Sequence, residues 1–445
     1  MKILIICHSY FPELTPRAFR WTAIAEELFR LGHHVVVICG RGTSTTEREC
    51  LNGVEIHRTG SNARGLVKRW LRLEATLAPA IASTKVGTPV SIRSRMGRLF
   101  KLAYHHTVGK ILWPDSAAFW YYSALKRAHE IQQQSRADVM VSVSLPYTAH
   151  LVGYKLKRYY SINWLVDIGD PFSFMTETPV NNTVLFRGLN TRSESSVLGL
   201  ADAVAVTNEE TLRKYLKYFD TMQPNKITVI PPVFVQTKSS DGLIYSDAKS
   251  NKIRLVFAGT LYRSIRNPSA LLKFFRNLLA IPMSEQFELH FYGVINDCET
   301  CFNEYIDLID SKIFIHGLIS RDKALRAMQE ANILVNLGNS TAYQLPSKVI
   351  EYMIMGKPVL NITKLKLDSS QIFFSDFIGL CNVTEHALTS DSVEFARVKH
   401  FLENPPSVDN SGIAQLLKVH SVQAVTQNYL TLIQTMSAGA KGKAT

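Results

Sequence analysis

The sequence predicts an α/β fold made of two doubly wound domains in tandem. Short strands rich in β-branched residues alternate with amphipathic helices, and this alternation starts twice along the 445 residues. Strand–helix repetition produces right-handed crossovers and a parallel sheet with helices on both faces. The length agrees with two or three domains, and 46% hydrophobic with 20% charged residues is typical of a globular protein.

The first series of strands and helices predicts a domain over residues 1–233. It begins with the strand KILIIC, a helix that ends at Gly32 and the strand HHVVVICG. It resumes after an insertion at about 62–113 with the predicted strands ADVMVSVS, INWLVDIGD, ADAVAVTN and KITVIPP, each separated from the next by a helix. Ligands bind such sheets at the carboxyl ends of the strands, and two facing domains would leave a cleft there.

The second series predicts another domain over residues 253–418. Residues 234–252 lack periodicity and are rich in Ser, Asp and Lys, which indicates a linker. The last amphipathic stretch, residues 412–433, fits one helix or two. We expect a carboxyl-terminal helix at 419–435 to pack back on the first domain and residues 436–445 to form a flexible tail.

The amino-terminal residues and the cysteines predict that the chain works in a reducing compartment. The apolar run at the start is about six residues and has no small-residue cleavage site, and no stretch approaches the roughly 18 apolar residues of a membrane span. We therefore expect a cytoplasmic protein. Most of the six cysteines lie beside apolar strands, as structural thiols do. Cys298 and Cys301 form a C-x-x-C pair without a second pair of ligands nearby, so structural thiols are favoured over metal or redox chemistry.

The positive charge is concentrated in the insertion. Residues 62–110 hold ten Lys and Arg against Glu74 alone, which is 10 − 1 = +9 of the total +13 and leaves +4 elsewhere. Trp, Leu, Phe and Ile recur among these cations at helical spacing. This pattern predicts contact with an anionic bilayer surface, with a solvated insertion as the alternative.

The segment YQLPSKVIEYMIMGKPVL, residues 343–360, carries the clearest candidate chemistry. Pro346 suits the first turn of a helix whose free N–H groups would bind a diphosphate. Lys348 adds a cation in that turn, and Glu351 follows on the same face as Lys348 and Ser347. A buried carboxylate there can accept hydrogen bonds from the vicinal hydroxyls of a ribose. An ordinary amphipathic helix with solvated Lys and Glu is the alternative.

PSKVIEYMIMGKPVL resembles the donor-site helix of the family-4 retaining glycosyltransferases, which have the two-domain GT-B fold. It is most similar to a bacterial surface-polysaccharide branch with a Pro-Ser-Lys variant. HSYFPE, LVDIGDPFS, ADAVAVTNEE, VIPPVF and FAGTLY occur in the order of that family, so the resemblance covers nearly the whole chain except the basic segment. No single motif is decisive, and the order of the motifs makes the match specific.

The resemblance implies a donor site in the second domain. Glu351 would bind the donor ribose, and Arg266, or alternatively Arg263, would bind the diphosphate with Lys348. The implied catalytic set is Glu351, Lys348 and Arg266, and the further donor-binding residues are Gly259, Arg263, Ser347 and Tyr343. The family usually has a second glutamate eight positions before Glu351, where this chain has Tyr343, so the sugar contacts are not carried over. The glycine pair often found in the first loop is also missing.

On the acceptor side, Arg17 and Arg20 lie three residues apart near the start of the first helix and are candidates for binding an anionic group. His8 and Asp170 follow predicted strands, and Asp170 lies near the position of the family's catalytic histidine. A cap or turn residue is the alternative for each of these two. The family generally needs no metal, and we expect neither a metal nor a tightly bound cofactor.

The expected reaction is transfer of a sugar from a nucleoside diphosphate sugar to a hydroxyl group with retention of the anomeric configuration. The expected acceptor is a lipid-linked or growing surface glycan, at the inner face of the cytoplasmic membrane. A non-catalytic GT-B protein and a GT-B nucleotide-sugar epimerase remain alternatives. A nucleic-acid-binding protein, suggested by the pI of about 9.4, is disfavoured because the charge is confined to one insertion.

Overall fold

The computed structural model describes residues 1–60, 112–235 and 252–441, except residues 14, 43, 45, 283, 347, 376, 390, 391 and 409. The chain divides into two compact units. The amino-terminal unit contains the described residues up to Val235 together with those from Ser421, and the carboxyl-terminal unit contains residues 252–420. The predicted basic segment, the interior of the predicted linker, the end of the tail and Ser347 lie outside the described residues.

The amino-terminal unit contains an eight-stranded sheet in the order β3-β4-β2-β1-β5-β6-β7-β8. All neighbouring strands are parallel except β3 and β4, which form an antiparallel hairpin. The strands are β1 (Lys2–Cys7), β2 (His34–Gly40), β3 (Arg48–Leu51), β4 (Val54–Thr59), β5 (Val139–Val143), β6 (Asn163–Ile168), β7 (Ala203–Val206) and β8 (Ile227–Val229). The central strands are buried along almost their whole length, because helices cover both faces of a parallel sheet.

The described residues of this unit form six α-helices. They are α1 (Pro16–Arg30), α2 (Trp120–Gln134), α3 (Thr148–Tyr160), α4 (Thr183–Leu200), α5 (Glu209–Tyr218) and α12 (Val422–Lys441). Polar side chains cap three of them: Thr15, Asn182 and Asn208 each accept hydrogen bonds from backbone N–H groups of the first turn. Although α12 is the last helix of the chain, its buried residues join the core of this unit against α1.

The carboxyl-terminal unit contains a six-stranded parallel sheet in the order β11-β10-β9-β12-β13-β14. Its strands are β9 (Ile253–Ala258), β10 (Phe287–Tyr292), β11 (Ile313–Gly317), β12 (Ile333–Leu337), β13 (Val359–Thr363) and β14 (Leu380–Thr384). Its helices are α6 (Ser269–Leu279), α7 (Arg321–Gln329), α8 (Val349–Ile354), α9 (Ser369–Phe373), α10 (Val393–Glu403) and α11 (Asn410–His420). One hydrophobic core lies on each side of the sheet.

The structure differs from the sequence-based expectations in five elements. Helix α8 begins at Val349 rather than at Pro346, so Lys348 lies at the cap and not within the first turn. The alternation of strands and helices predicts an α-helix at TCFNEYIDLID, residues 300–310, but the structure has a 3₁₀ helix at Asn296–Tyr305. The β3–β4 hairpin and helix α2 were not anticipated. The last amphipathic stretch forms two helices, α11 and α12, and α12 continues to Lys441, so residues 436–441 of the predicted tail are helical. Among the described residues, no helix is long and apolar enough to cross a membrane.

Candidate functional site

Glu351 lies in α8 with both carboxylate oxygens engaged by cations. The Lys348 ammonium donates to Oε2 at 2.5 Å, and Arg321 donates to Oε1 through Nε at 3.3 Å and Nη2 at 3.1 Å. The side chain of Glu351 is 10% exposed, that of Arg321 15% and that of Lys348 29%. The sequence correctly predicted that Lys348 and Glu351 share a helix face. It gave no indication of Arg321, which lies thirty positions earlier in the chain.

Helix α8 is short, and tertiary contacts fix its position. Tyr352 is fully buried, and its hydroxyl accepts a hydrogen bond from the backbone N–H of Ala258 at 2.8 Å. Val349, Tyr352 and Met353 pack into the core that also contains Leu325 of α7. This packing places Glu351 beside the end of β9. It also brings the start of α7, and therefore Arg321, next to Glu351.

Arg266 reaches the loop that follows β12. Its Nε donates to Asn339 Oδ1 at 2.9 Å, and Asn339 Nδ2 donates to the carbonyl of Gln344 at 2.9 Å. The Gln344 carbonyl also accepts from Ser369 Oγ at 2.5 Å. These bonds hold the chain in a loop just before Pro346, which explains why the helix starts later than the sequence suggested. Asn339 is a buried member of this arrangement that sequence reasoning missed.

The charges of Arg266 and Glu351 both shift the pKa of the Tyr352 hydroxyl. Burial raises the pKa of Tyr352 well above its usual value, while the positive charge of Arg266 lowers that pKa and the negative charge of Glu351 raises it. Both charged groups therefore lie near the end of β9. Together with Lys348 and Arg321 they place three cations and one carboxylate in one region, a formal charge of 3 − 1 = +2. An excess of this size suits the binding of a diphosphate.

Arg263, the alternative to Arg266, lies elsewhere. Its guanidinium is exposed and donates to Thr300 Oγ1 in the 3₁₀ helix, and its backbone N–H donates to Asp297 Oδ1 at 2.9 Å. The structure therefore directs Arg266, and not Arg263, toward the loop before α8. The placement of Arg263 does not support the role that the sequence left open for it.

Gly259 and Tyr343, two other predicted donor-site residues, both lie in loops of the carboxyl-terminal unit. Gly259 follows β9 and contacts the next strand end closely, since a Cβ atom at Gly293 would lie 2.0 Å from the Gly259 carbonyl oxygen. This approach keeps the turn after β9 flat against the turn after β10. Tyr343 is buried in the loop before α8, at the position where the family resemblance implies a glutamate.

Arg20 is a structural residue, contrary to the expectation that it binds an acceptor. It is 6% exposed, and its guanidinium donates to the carbonyls of Pro231 at 2.8 Å and Ile230 at 3.3 Å and to the hydroxyl of Tyr429 at 2.9 Å. A spacing of three residues put Arg17 and Arg20 on neighbouring faces of α1. The packing of α12 against α1 buries the face that carries Arg20, so this cation ties α1 to the chain after β8 and to α12.

Arg17 lies over the turn that follows β6. A Cβ atom at Gly169 would be 0.9 Å from Arg17 Nη2, so the guanidinium occupies the space that a larger residue would fill. Its Nη1 is 3.8 Å from Asp167 Oδ2. Burial, together with a smaller effect of the Arg17 charge, lowers the pKa of His150 to about 3. Arg17 therefore stands as a partly exposed cation at the carboxyl end of the sheet.

His8 and Asp170 follow two parallel strands of the same sheet, β1 and β6, at the carboxyl ends of those strands. His8 follows β1, contacts the turn at Gly40 and meets the ring of Trp120 edge-on at 5.0 Å. Asp170 is partly exposed and follows β6, which β5 separates from β1. His8, Arg17 and Asp170 thus share the carboxyl edge of the amino-terminal sheet, where ligands of doubly wound sheets bind.

The cysteines and carboxylates of the described residues form no group of three or more potential metal ligands. All six cysteines are free thiols. Burial and the neighbouring Cys301 raise the pKa of Cys298 to about 12, which disfavours the thiolate needed for redox or metal chemistry. These properties suit structural thiols.

Comparison with solved structures places the fold among the glycosyltransferases. Sucrose-phosphate synthase from Thermosynechococcus elongatus matches with a TM-score of 0.64 and 13% identity, over 99% of this chain and 100% of that one. WaaG, a glycosyltransferase involved in lipopolysaccharide biosynthesis, matches with a TM-score of 0.55 and 11% identity, over 97% of this chain and 99% of that one. HepE from Anabaena, solved with UDP-glucose, matches with a TM-score of 0.52 and 12% identity, over 99% of this chain and 100% of that one.

The sequence itself matches one family model. Residues 18–232, nearly the whole first domain, match the model described as a glycosyl transferase 4-like domain. No curated protein matches the chain in sequence. The fold prediction of two doubly wound domains is confirmed. The chain is a glycosyltransferase with the GT-B fold, and its amino-terminal unit contains a glycosyl transferase 4-like domain.

Proposed function

We propose that this glycosyltransferase retains the anomeric configuration and uses a nucleoside diphosphate sugar whose nucleotide binds at Glu351, Lys348 and Arg266. The observation that carries the proposal is the buried Glu351 carboxylate with a surplus of cations around it. A carboxylate accepts hydrogen bonds from two vicinal ribose hydroxyls, and guanidinium and ammonium groups bind diphosphate oxygens. The same cations neutralise the diphosphate as it leaves, so no metal is required for that step.

The other donor residues have supporting roles in this proposal. Gly259 keeps the turn after β9 free of a side chain beside the phosphates, and Ser347, which lies outside the described residues, adds a hydroxyl near the start of α8. Tyr343 stands where a glutamate would contact the sugar, so a different group has to position the sugar hydroxyls. Arg263 is not included, because its guanidinium is bound to Thr300.

The acceptor site belongs to the amino-terminal unit in this proposal. Arg17 binds an anionic group of a lipid-linked or growing surface glycan, and His8 and Asp170 approach the acceptor hydroxyl from the same sheet edge. The resemblance to WaaG in fold agrees with an acceptor of this class. Arg20 takes no part, because its guanidinium is bound within the protein.

We place the enzyme at the inner face of the cytoplasmic membrane, with the basic segment at 62–113 on anionic lipid. Nine net positive charges in under fifty residues support this placement. The protein should sediment with anionic vesicles and not with neutral ones, and it should dissociate as salt increases. Replacing Lys68, Arg69, Arg72, Arg95 and Arg98 with Gln should abolish sedimentation. Sedimentation that ignores lipid charge would contradict the placement.

A non-catalytic nucleotide-binding protein is the second candidate, and Tyr343 is the residue that favours it. A buried tyrosine at this position removes the carboxylate that the family uses on the sugar. The two candidates differ in turnover: an enzyme slowly hydrolyses its donor even without an acceptor, while a binding protein leaves the donor intact.

The decisive experiment measures donor binding and donor hydrolysis in the purified protein. UDP, GDP, ADP and dTDP are screened by thermal shift, since ligands stabilise the folded state by mass action. Sugars of the nucleotide that binds are then tested for hydrolysis. Glu351→Ala should weaken nucleoside diphosphate binding by about 10- to 100-fold, because hydrogen bonds to a charged group contribute about 1.5–3 kcal/mol.

Glu304→Ala is the matched control, because Glu304 is an exposed acid of the same unit. Its affinity and turnover should equal those of the wild type. Wild-type affinity in Glu351→Ala would overturn the assignment of the donor site. Binding without hydrolysis for every sugar tested would favour the non-catalytic candidate.

A further inference from the structure

Glu351 is held by two cations that differ in how firmly the fold fixes them. Arg321 is the first residue of α7, and the hydroxyl of Ser320 caps that helix by accepting from the Lys323 N–H at 3.4 Å. Leu325 and Met328 of α7 pack into the same core as Val349 of α8. The backbone that carries Arg321 is therefore fixed relative to Glu351 by two packed helices.

Lys348 approaches Glu351 from the same short stretch of chain. It lies just before α8, and its side chain is about twice as exposed as that of Arg321, 29% against 15%. A lysine side chain is a flexible stem with a single charged head, whereas the planar arginine fork donates two hydrogen bonds from one orientation. In this structure Arg321 donates through two of its nitrogens to a single oxygen, Oε1, and Lys348 donates to the other oxygen.

One carboxylate cannot neutralise two cations, so this cluster carries one positive charge more than Glu351 balances. An incoming diphosphate would attract that charge. Of the two cations, Lys348 loses less by leaving, because its head is nearer to solvent and its stem can rotate. Arg321 is fixed by the packing of α7 against α8, so it remains with the carboxylate.

We propose that Arg321 is a positioning residue for donor binding: it holds the Glu351 carboxylate in place and charge-balanced while Lys348 moves from Glu351 to the diphosphate. This proposal rests on the proposed function, since it assumes that a nucleoside diphosphate binds at Glu351. Without Arg321, Lys348 is the last cation on a nearly buried carboxylate, and moving it would leave that carboxylate unpaired. An unpaired buried carboxylate is costly, so Lys348 would stay with Glu351 and would not bind the diphosphate.

The test compares a nucleoside diphosphate with the matching nucleoside, using whichever of UDP, GDP, ADP or dTDP stabilises the wild type. Arg321→Gln should weaken diphosphate binding at least 10-fold and nucleoside binding less than 3-fold. Arg321→Lys should recover part of the loss. Arg326→Gln is the control, because Arg326 is an exposed arginine of the same helix, and it should bind both ligands as the wild type does.

A double-mutant cycle separates this role from a merely structural one. Lys348→Met should cost at least 10-fold in diphosphate affinity in the wild type but less than 3-fold in the Arg321→Gln background, because the lysine no longer reaches the phosphates there. Additive losses would overturn the proposal. If Arg321→Gln does not fold, Lys348→Met alone decides: equal loss for diphosphate and nucleoside would overturn it.

The proposed function can fail separately. If the wild type binds none of the four nucleoside diphosphates, the donor site itself is wrong. If the wild type binds one of them and Glu351→Ala loses it while Arg321→Gln binds it normally, the donor site stands and the role of Arg321 is wrong.

Discussion

Asp167 in the amino-terminal unit and Glu351 in the carboxyl-terminal unit are both nearly buried carboxylates, but their partners differ. Asp167 is 1% exposed and accepts from Trp21 Nε1 at 2.9 Å and from the Tyr429 hydroxyl at 2.6 Å, with Arg17 at 3.8 Å. Glu351 has cations on both oxygens, and these cations reach the surface. The hydrogen bonds of Asp167 come from neutral, buried donors, and its contact with the Arg17 cation is long, so it is an internal anchor. The partly exposed cations bound to Glu351 can exchange partners.

The anchor connects distant parts of the chain. Asp167 is in β6, Trp21 in α1 and Tyr429 in α12, and the Tyr429 hydroxyl also accepts from Arg20. These four side chains hold the last helix of the chain to the amino-terminal unit. The Glu351 cluster connects only the starts of α7 and α8, so its loss should disturb binding more than folding.

The two regions can be followed separately by spectroscopy. All five tryptophans of the chain, Trp21, Trp70, Trp113, Trp120 and Trp164, precede residue 236. Trp70 lies outside the described residues; once it is replaced by Phe, tryptophan fluorescence reports on the amino-terminal unit alone, while circular dichroism reports on both units. The following predictions use this difference and run from the largest expected change in stability to the smallest.

Asp167→Ala should lower the free energy of unfolding of the amino-terminal unit by about 3–5 kcal/mol. The substitution leaves the buried donors of Trp21 and Tyr429 without their acceptor. Urea unfolding followed by tryptophan fluorescence measures the change, with Asp220→Ala, an exposed acid of the same unit, as the control. A loss below 1 kcal/mol would mean that Asp167 does not anchor α12.

The amino-terminal unit should also lose stability in acid through His150. Burial holds the pKa of this histidine at about 3 in the folded state, against about 6.5 when unfolded. Below pH 6.5 the unfolded chain therefore binds a proton that the folded chain does not. The free energy of unfolding should fall by about 1.4 kcal/mol per pH unit from this group, until the pH approaches 3.

His150→Gln removes this titration, so the variant should show a shallower pH dependence than the wild type between pH 7 and 5. The difference in slope is the readout, because the substitution can also change stability at every pH by breaking the hydrogen bond between Ser142 Oγ and His150 Nδ1. Parallel pH profiles of the two proteins would contradict the assignment.

Glu351→Ala should change the stability of the carboxyl-terminal unit by no more than about 1 kcal/mol. Removing the carboxylate leaves Arg321 and Lys348 close to water, where they can be solvated, unlike the donors around Asp167. Thermal unfolding by circular dichroism measures this change, and the fluorescence transition serves as the internal reference. A loss as large as that of Asp167→Ala would show that Glu351 is a second anchor and would end the contrast.

Gly169→Ala should have the smallest effect on stability and a clear effect on transfer. The new methyl group would occupy the place of the Arg17 guanidinium, which can swing aside, so the cost should stay below about 1 kcal/mol. Transfer to an anionic acceptor should fall as far as in Arg17→Ala. Gly188→Ala is the control, because a Cβ atom at this position of α4 meets no other atom within 4 Å. Normal transfer by Gly169→Ala would refute the role of Arg17.

The sequence by itself determined the alternation of strands and helices, and with it the two sheets. The periodic spacing of apolar residues that predicts each element is a property of residues close together in the chain. It also paired Lys348 with Glu351, since residues three apart on a helix meet regardless of the rest of the fold. It missed the β3–β4 hairpin, whose short first strand alternates between half-buried and exposed residues and has no apolar run.

Only the tertiary structure decided which charges meet across long separations. Arg321 reaches Glu351 because α7 and α8 pack into one core, and Arg20 turns inward because the last helix covers its face of α1. Arg266 and Arg263 are three residues apart, yet one contacts Asn339 and the other Thr300. The partner of a long side chain depends on which elements lie beside it, and local sequence does not contain that information.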